Sequence, residues 1–306
     1  MDYNRRHFIE TLAATGAVLL TDSVAASAPK AMPISSNQYG TFYSRDKRNW
    51  SADLDASLAE YVKSGLTAYE PSFSNVEEVK KLGPLLKKHN LSMPSAYVGS
   101  VLHDAAEGKR SIETALAIAE AAQPLGLKIL VSNPNPLKWG AGNEIKNDAQ
   151  LIEQVKNLEF LGSELRKRGV TLAYHTHDVE LRAGEREFHH MLQNTDPKNV
   201  GFCLDVHWVY RGAGNSQVAL FDVVKMYGKR VVELHIRQSV NTIWAETFGE
   251  GDIDYPRLAR ELQALKVKPL IVLEQCLEAQ SPNTIKPVEA HQRDLAYAKQ
   301  VFAGWM

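Results

Sequence analysis

Short apolar runs and longer helix-like segments alternate along the chain from about residue 34 to its end. The apolar runs are rich in Val, Ile and Leu on both faces, which is typical of parallel strands covered by helices. Each run is followed by a helix-like segment, and the pattern contains eight such units. The predicted strands cover 34–42, 67–69, 95–98, 128–132, 171–175, 200–205, 231–236 and 270–274, and the predicted helices cover 54–64, 76–89, 111–125, 149–168, 187–192, 218–227, 255–265 and 288–302.

Eight strand–helix units favour closure of the sheet into a (β/α)8 TIM barrel, a fold that commonly occupies a chain of this length as one domain. We therefore predict a single barrel over residues 34–306. The main alternative is an open, doubly wound sheet, whose dinucleotide-binding members carry a Gly-x-Gly-x-x-Gly turn after an early strand. The chain has no such turn and no low-complexity linker that would divide it.

The first 28 residues have the order of an export signal rather than of a folded element. Residues 4–10 (Asn-Arg-Arg-His-Phe-Ile-Glu) resemble a twin-arginine motif, and an apolar stretch and small residues follow. The apolar stretch is too short to span a membrane stably. We predict a signal segment over 1–28 and a periplasmic or secreted protein without a stable membrane span.

Charge and cysteine content exclude several classes of function. Lys and Arg total 35 and Asp and Glu total 36, so the formal net charge is −1. A protein that captures nucleic acid needs a basic face, so we expect no nucleic-acid partner. Cys203 and Cys276 are far apart in sequence and show no zinc-like spacing, which predicts two core thiols.

Polar residues stand at the ends of four of the predicted strands, where a buried run would otherwise continue. His175, Asp205, His235 and Glu274 end the fifth to eighth strands. Imidazoles and carboxylates are costly to bury unless they are paired or bound to a cation. In a TIM barrel the carboxyl ends of the strands form the active site, so we expect these four side chains to form one metal site. Nitrogen and oxygen donors favour Mn²⁺, Zn²⁺, Co²⁺ or Fe²⁺ over Ca²⁺.

Further candidates surround that predicted site. Glu70 follows the second predicted strand, where an acid or base could reach the same end of the barrel. Residues two apart on a strand share a face, so the members of three pairs should point the same way: His175 and His177, Asp205 and His207, and His235 and Arg237. We predict that substrate is bound by Arg237, His207, Trp208 and Trp244, the tryptophans offering aromatic faces for stacking.

The chain resembles the sugar phosphate isomerase/epimerase family of the xylose isomerase-like TIM barrels over nearly everything after the signal segment. The resemblance lies in five runs: 174–180 (Tyr-His-Thr-His-Asp-Val-Glu), 204–208 (Leu-Asp-Val-His-Trp), 234–237 (Leu-His-Ile-Arg), 249–254 (Gly-Glu-Gly-Asp-Ile-Asp) and 272–275 (Val-Leu-Glu-Gln). It implies one divalent metal ion held by strands five to eight, with a carbohydrate bound to it. It also implies removal of a proton beside a carbonyl by a nearby base.

One position departs from the family's pattern. Epimerase members carry two metal-binding glutamates on opposite faces of the substrate, and His175 stands where the first of them would be. Glu274 then remains as one acid/base, and His177, Glu180 or Glu70 is the possible second. Related dehydratases of keto-sugars share the tyrosine–histidine pattern, so elimination by a lyase or dehydratase is the alternative to isomerisation or epimerisation.

Further alternatives concern the substrate of an exported enzyme and whether the barrel is an enzyme at all. Sugar phosphates are chiefly cytoplasmic, so the predicted export favours a substrate that is a non-phosphorylated sugar or a 3-keto-glycoside. An endonuclease IV-like enzyme shares the barrel but would need more metal ligands and a basic rim. The non-enzymatic alternative is a periplasmic sugar-binding barrel, and the intact set of four ligands argues against it. A homo-oligomer is compatible with the sequence.

Overall fold

Seven parallel strands form one curved sheet in the computed structural model, which describes residues 33–140 and 144–305. The described residues contain nine strands in all: β1 (Ile34–Ser36), β2 (Ser95–Ser100), β3 (Ile129–Pro134), β4 (Thr171–His175), β5 (Val200–Asp205), β6 (Val231–Ile236), β7 (Ser239–Val240), β8 (Ile243–Trp244) and β9 (Leu270–Leu273). The sheet has the order β1-β9-β6-β5-β4-β3-β2, and β7 and β8 form a separate antiparallel hairpin. Strands that follow one another in the chain are therefore mostly neighbours in space, as a barrel requires.

Helices alternate with these strands and cover the outside of the sheet. They are α1 (Tyr39–Ser44), α2 (Leu54–Tyr61), α3 (Val76–Lys88), α4 (Ala105–Ala122), α5 (Asp148–Lys167), α6 (Arg182–Gln193), α7 (Val206–Gly212), α8 (Gln217–Tyr227), α9 (Tyr255–Ala264) and α10 (Pro287–Val301). Several begin at a side-chain cap, which satisfies backbone N–H groups that have no partner inside the helix. At α5, for example, Asn147 and Gln150 form a reciprocal capping box.

Residues 67–73 close the ring between β1 and β2 without forming a regular strand. The Glu70 N–H donates to the Ser36 carbonyl of β1 at 3.3 Å, and the Tyr97 N–H of β2 donates to the Pro71 carbonyl at 2.8 Å. Pro71 has no N–H to give to a ladder, so pairing here is reduced to isolated bridges. The predicted TIM barrel is confirmed, whereas the second predicted strand is an irregular extended segment.

The first strand is shorter than the sequence predicts. It ends at Ser36, and residues 39–44 form α1 instead of continuing the strand to residue 42. Tyr39 and Phe42 are both fully buried. Their spacing of three residues places them on one face of a helix, so burial of both rings favours α1 over an extended chain.

The packing separates a large core from a small one. Most buried apolar residues form one cluster, and Ile129, Val131, Ala173 and Cys203 form a second. Ala173 and Cys203 lie two residues before His175 and Asp205 on the same strand faces, so the small cluster lies beneath the strand ends. Cys203 and Cys276 are both free thiols, and Cys276 is only half-buried.

The predicted signal segment, residues 1–28, lies outside the described residues. Among the helices that the structure describes, none is long and apolar enough to cross a membrane.

Candidate metal centre

The four predicted metal ligands converge at the carboxyl ends of neighbouring strands. His175 ends β4, Asp205 ends β5, His235 lies in β6 and Glu274 follows β9. One ligand atom from each lies within 4.8 Å of those of the other three, and all four residues are buried. The parallel register brings them together, because Asp205 pairs with His235 across β5 and β6.

His175 offers an unengaged imidazole to this cluster. Neither of its ring nitrogens has a hydrogen-bond partner among the described residues, and its Nε2 lies 3.5 Å from Asp205 Oδ2. Burial, with His177 and His235 nearby, holds the pKa of His175 well below its usual range. The ring is therefore neutral, which is the form that binds a metal.

Arg237 bridges the two carboxylates of the cluster from the opposite side. Its Nη1 donates to Glu274 Oε2 at 2.5 Å, and its Nη2 donates to Asp205 Oδ2 at 3.1 Å. The Trp208 N–H, at the start of α7, donates to Asp205 Oδ1 at 2.8 Å. These contacts fix both carboxyl groups, and they leave Glu274 Oε1 directed toward His235 at 3.5 Å from its Nδ1.

His235 presents its two nitrogens in different directions. Nδ1 faces Glu274, and Nε2 lies 3.1 Å from Glu70 Oε1 and 3.1 Å from Glu233 Oε1. A metal-bound histidine commonly uses its second nitrogen in this way, as a donor to a carboxylate. His235 therefore has the orientation of a metal ligand.

Four carboxyl groups are buried in and around the cluster. Glu70, Asp205, Glu233 and Glu274 are all buried, and Arg237 is the one guanidinium in contact with them among the described residues. Burial raises the pKa of Asp205 and of Glu233 well above their usual range. The donor set of two imidazoles and two carboxyl groups suits a divalent ion such as Mn²⁺, Zn²⁺, Co²⁺ or Fe²⁺.

A cavity of about 460 Å³ is lined by His177 and Trp208, whose rings contact His175 and Arg237 of the cluster. Its volume lies in the range of small-molecule binding sites. Two tryptophans and several charged groups line it, and two of the cations are paired, Arg182 with Asp178 and Arg211 with Glu278. The lining residues include Lys138, Trp139, His177, Arg182, Trp208 and Arg211.

His177 connects the cavity to the metal ligands. Its ring centroid lies 4.9 Å from that of His175, 5.1 Å from that of Trp139 and 5.5 Å from that of Trp208. Burial lowers the pKa of His177 to about 4, so the ring is neutral near pH 7. Of the four predicted acid/base residues, His177 is the one that lines this cavity.

Glu180 and Glu70, two other acid/base candidates, do not line this cavity. Glu180 accepts hydrogen bonds from the His177 N–H at 2.7 Å and from Asn133 Nδ2 at 3.0 Å. Burial raises the pKa of Glu180 to about 7. Glu70 is fully buried, and both of its oxygens accept hydrogen bonds, one from Asn37 and the other from Ser95. Both carboxyl groups thus hold neighbouring segments in place.

The predicted substrate-binding residues divide into two groups. Trp208 lines the cavity, whereas Arg237 and His207 are fully buried and Trp244 is nearly so. The Arg237 guanidinium lies 4.8 Å from the Trp208 ring centroid and 4.9 Å from that of Trp244, in cation–π geometry.

The expectation that His207 shares a strand face with Asp205 is wrong. The strand ends at Asp205, whose carboxylate caps α7, and His207 lies in the first turn of that helix. Its ring packs against Tyr210 and Trp244 instead, with centroid distances of 5.7 and 6.0 Å.

A comparison with protein-family models matches residues 58–301 to the xylose isomerase-like TIM barrel model. That range covers most of the chain. The protein belongs to the xylose isomerase-like TIM barrel family. The resemblance deduced from the sequence motifs is confirmed at this level.

Solved structures of this family share the fold over nearly the whole chain. A sugar phosphate isomerase/epimerase from Parabacteroides distasonis is 19% identical, with a TM-score of 0.68 over 93% of this chain and 98% of that one. D-allulose 3-epimerase from Methylomonas sp., in complex with D-allulose, is 15% identical, with a TM-score of 0.67 over 89% and 98%. A family member from Mycobacterium smegmatis in complex with magnesium is 12% identical, with a TM-score of 0.70 over 90% and 98%.

A curated relative is named for a different activity. Inosose dehydratase from Lactiplantibacillus plantarum is 28% identical over 171 residues, which are 50% of this chain and 55% of the relative. The chain therefore spans about half the length of the curated relative it matches.

Several polar residues of this barrel escaped the sequence analysis. Glu233 and Asn37 contact His235, and Asn133 contacts Glu180. A signal existed for Glu233, because it is an acid inside the apolar strand β6, two residues before His235. No comparable signal marked the two asparagines, since asparagine is ordinary at the end of a strand.

Proposed function

We propose that the protein is a divalent-metal-dependent enzyme of the sugar isomerase/epimerase kind, which removes a proton beside a carbonyl of a carbohydrate. One observation carries the proposal: four candidate ligand atoms converge, and His175 among them contacts His177, a neutral histidine that lines a cavity. Similarity in fold to sugar epimerases and isomerases supports it.

His175, Asp205, His235 and Glu274 would hold the ion. When bound, a divalent ion polarises a carbonyl oxygen and stabilises the negative charge that develops on it. Arg237 keeps the Asp205 and Glu274 carboxylates in place through its two ion pairs. Trp139 and Trp208 offer aromatic faces at the cavity, against which the apolar side of a sugar ring can pack.

His177 is the residue best placed to take the proton. It is neutral near pH 7, it faces the cavity, and its Nδ1 has no hydrogen-bond partner in the described part of the chain. Glu180 holds the backbone of His177 by accepting from its N–H. Glu274 is the second acid/base on our account, since its Oε1 is turned away from Arg237.

Elimination is the second candidate reaction. His175 stands where epimerases of the family carry a glutamate, and the 28% identical relative is an inosose dehydratase. After the first proton is removed, a lyase needs an acid for the oxygen that leaves the neighbouring carbon. His177, neutral near pH 7, can take the first proton and, once protonated, donate it to the leaving oxygen.

Mass spectrometry in D₂O tests the proposal and separates the two reactions. Protein loaded with Mn²⁺, Co²⁺ or Zn²⁺ is incubated with ketopentoses, ketohexoses and 3-keto-glycosides. Carbon-bound deuterium with unchanged composition supports an isomerase or epimerase, and loss of water or an aglycone supports a lyase. His177→Asn should abolish exchange, whereas His190→Asn, a change on α6, should not. Absence of exchange and elimination with every substrate and metal would contradict the proposal.

We also propose that the protein is exported by the twin-arginine route. The proposal depends on residues 4–28 alone. Replacement of Arg5 and Arg6 by lysine should retain the protein in the cytoplasm, as judged by cell fractionation and immunoblotting. Export of the doubly substituted protein at the wild-type level would contradict the proposal.

A further inference from the structure

We propose that Glu233, together with Glu70, positions the imidazole of His235 for metal binding, an inference that rests on the proposed metal-dependent function. Glu233 is fully buried, and burying a carboxyl group inside a barrel is costly unless it makes a specific contact. Its Oε1 lies 3.1 Å from His235 Nε2, and its Oε2 has no hydrogen-bond partner among the described residues. The contact with His235 is therefore its principal polar interaction there.

The strand itself sets this contact. Glu233 and His235 are two residues apart in β6, so their side chains lie on the same face of the sheet. Glu70 reaches the same nitrogen from the segment that closes the barrel, at 3.1 Å from Nε2. Two carboxyl groups on different elements thus meet one ring nitrogen.

Glu70 is held rigidly for this role. Its Oε2 accepts a hydrogen bond from Ser95 Oγ at 2.6 Å, and its Oε1 accepts one from Asn37 Nδ2 at 3.0 Å. Its backbone N–H is bonded to Ser36 of β1. With both oxygens engaged and no exposed surface, Glu70 serves as a positioning residue rather than as the acid/base that the sequence suggested.

The consequence is a fixed ring direction. The two nitrogens lie on opposite sides of an imidazole, so contacts that hold Nε2 also aim Nδ1. In this structure Nδ1 points to Glu274 Oε1, at 3.5 Å. Groups that orient metal-binding histidines in this way typically contribute roughly 10- to 100-fold to metal affinity.

The test measures Co²⁺ binding to the whole protein by equilibrium dialysis. Glu233→Leu removes the contact and should weaken binding roughly 10- to 100-fold. Glu233→Gln keeps an oxygen that can accept from Nε2 and should restore part of the affinity. Asp294→Asn is the matched control, because Asp294 is a buried carboxyl on α10 that accepts from the Phe248 N–H, away from the cluster. It should bind Co²⁺ as the wild type does.

A second readout is independent of bound metal. In ¹⁵N-histidine NMR spectra, the His235 Nε2–H should exchange slowly with water in wild-type protein and rapidly in Glu233→Leu. If wild-type protein takes up no Co²⁺, the proposed function fails, and this exchange measurement still decides the role of Glu233. Wild-type Co²⁺ affinity in both Glu233 variants, or unchanged Nε2–H exchange in Glu233→Leu, would overturn the inference. If Glu233→Leu does not fold, the Co²⁺ affinity of Glu233→Gln tests the role of Glu233. An affinity equal to that of the wild type would then contradict the inference.

Discussion

Replacing Arg237 by methionine should destabilise the metal-free protein strongly. Arg237 is fully buried, and its guanidinium pairs with Asp205 and Glu274. Methionine retains much of the apolar contact with Trp208 and Trp244 but removes the positive charge. Glu274 would then lose the cation that compensates it, and Asp205 would lose a hydrogen-bond donor.

The expected loss in the free energy of unfolding is about 3–5 kcal/mol. Breaking a buried ion pair by removing one partner typically costs that amount, because the remaining charge is left without compensation. An exposed ion pair contributes only about 0–1 kcal/mol, so the two situations are easily distinguished. A divalent ion should recover part of the loss, because it pairs with the same carboxylates. Saturation at 100 times the dissociation constant contributes about 2.7 kcal/mol.

Urea denaturation followed by tryptophan fluorescence measures both effects, with and without added Zn²⁺. Arg230→Met is the control. Arg230 donates to the carbonyls of Thr195 and Val200, so its loss destabilises the barrel without freeing a carboxylate near the cluster. Its stability should show no more response to Zn²⁺ than that of the wild type. A loss below about 1 kcal/mol in Arg237→Met would refute the view that Arg237 compensates a buried charge.

Three further predictions concern other parts of the chain. Burial raises the pKa of Glu180 to about 7 from an ordinary 4.5. The free energy of unfolding should therefore fall by about 3 kcal/mol as the pH rises from 4.5 to 7, because the folded protein keeps a proton on Glu180 that the unfolded chain has lost. Glu180→Gln should remove that fall, and an unchanged pH profile in urea melts would disprove the assignment. Trp139 is 53% exposed at the cavity, so Trp139→Ala should raise KM about tenfold and change stability by less than about 0.5 kcal/mol. An unchanged KM would exclude Trp139 from the substrate site. The paired lysine substitutions at Arg5 and Arg6 should block export, as a fractionation assay will report.

The convergence of the four candidate ligands could be predicted because its signal is local. Each ligand ends an apolar run, and parallel strands bring their carboxyl ends to one edge whatever the details of packing. His175, Asp205, His235 and Glu274 therefore converge as expected. The contacts of Arg237 could not be predicted in this way. Its position two residues after His235 does not indicate that its guanidinium pairs with Asp205 and Glu274.

The misplaced elements have physical reasons of a different kind. The second predicted strand is irregular because Pro71 cannot donate to a ladder. The first is short because burial of Tyr39 and Phe42 together requires a helix. His207 lies in a helix rather than in the strand because Asp205, the last residue of β5, caps α7. A missing backbone N–H, a tertiary contact and a helix cap thus outweighed the pattern of apolar residues at these three places.

The metal content of the purified protein tests the central claim most directly. Full-length protein is prepared in chelator-treated buffer, supplied with Mn²⁺, Co²⁺ or Zn²⁺, dialysed and analysed by inductively coupled plasma mass spectrometry. We predict about one tightly bound divalent ion per chain, and loss of that ion in Asp205→Ala and in Glu274→Ala. Asp294→Asn, which lies outside the cluster, should retain it. Wild-type protein without a bound ion, or Asp205→Ala with the full complement, would contradict the account.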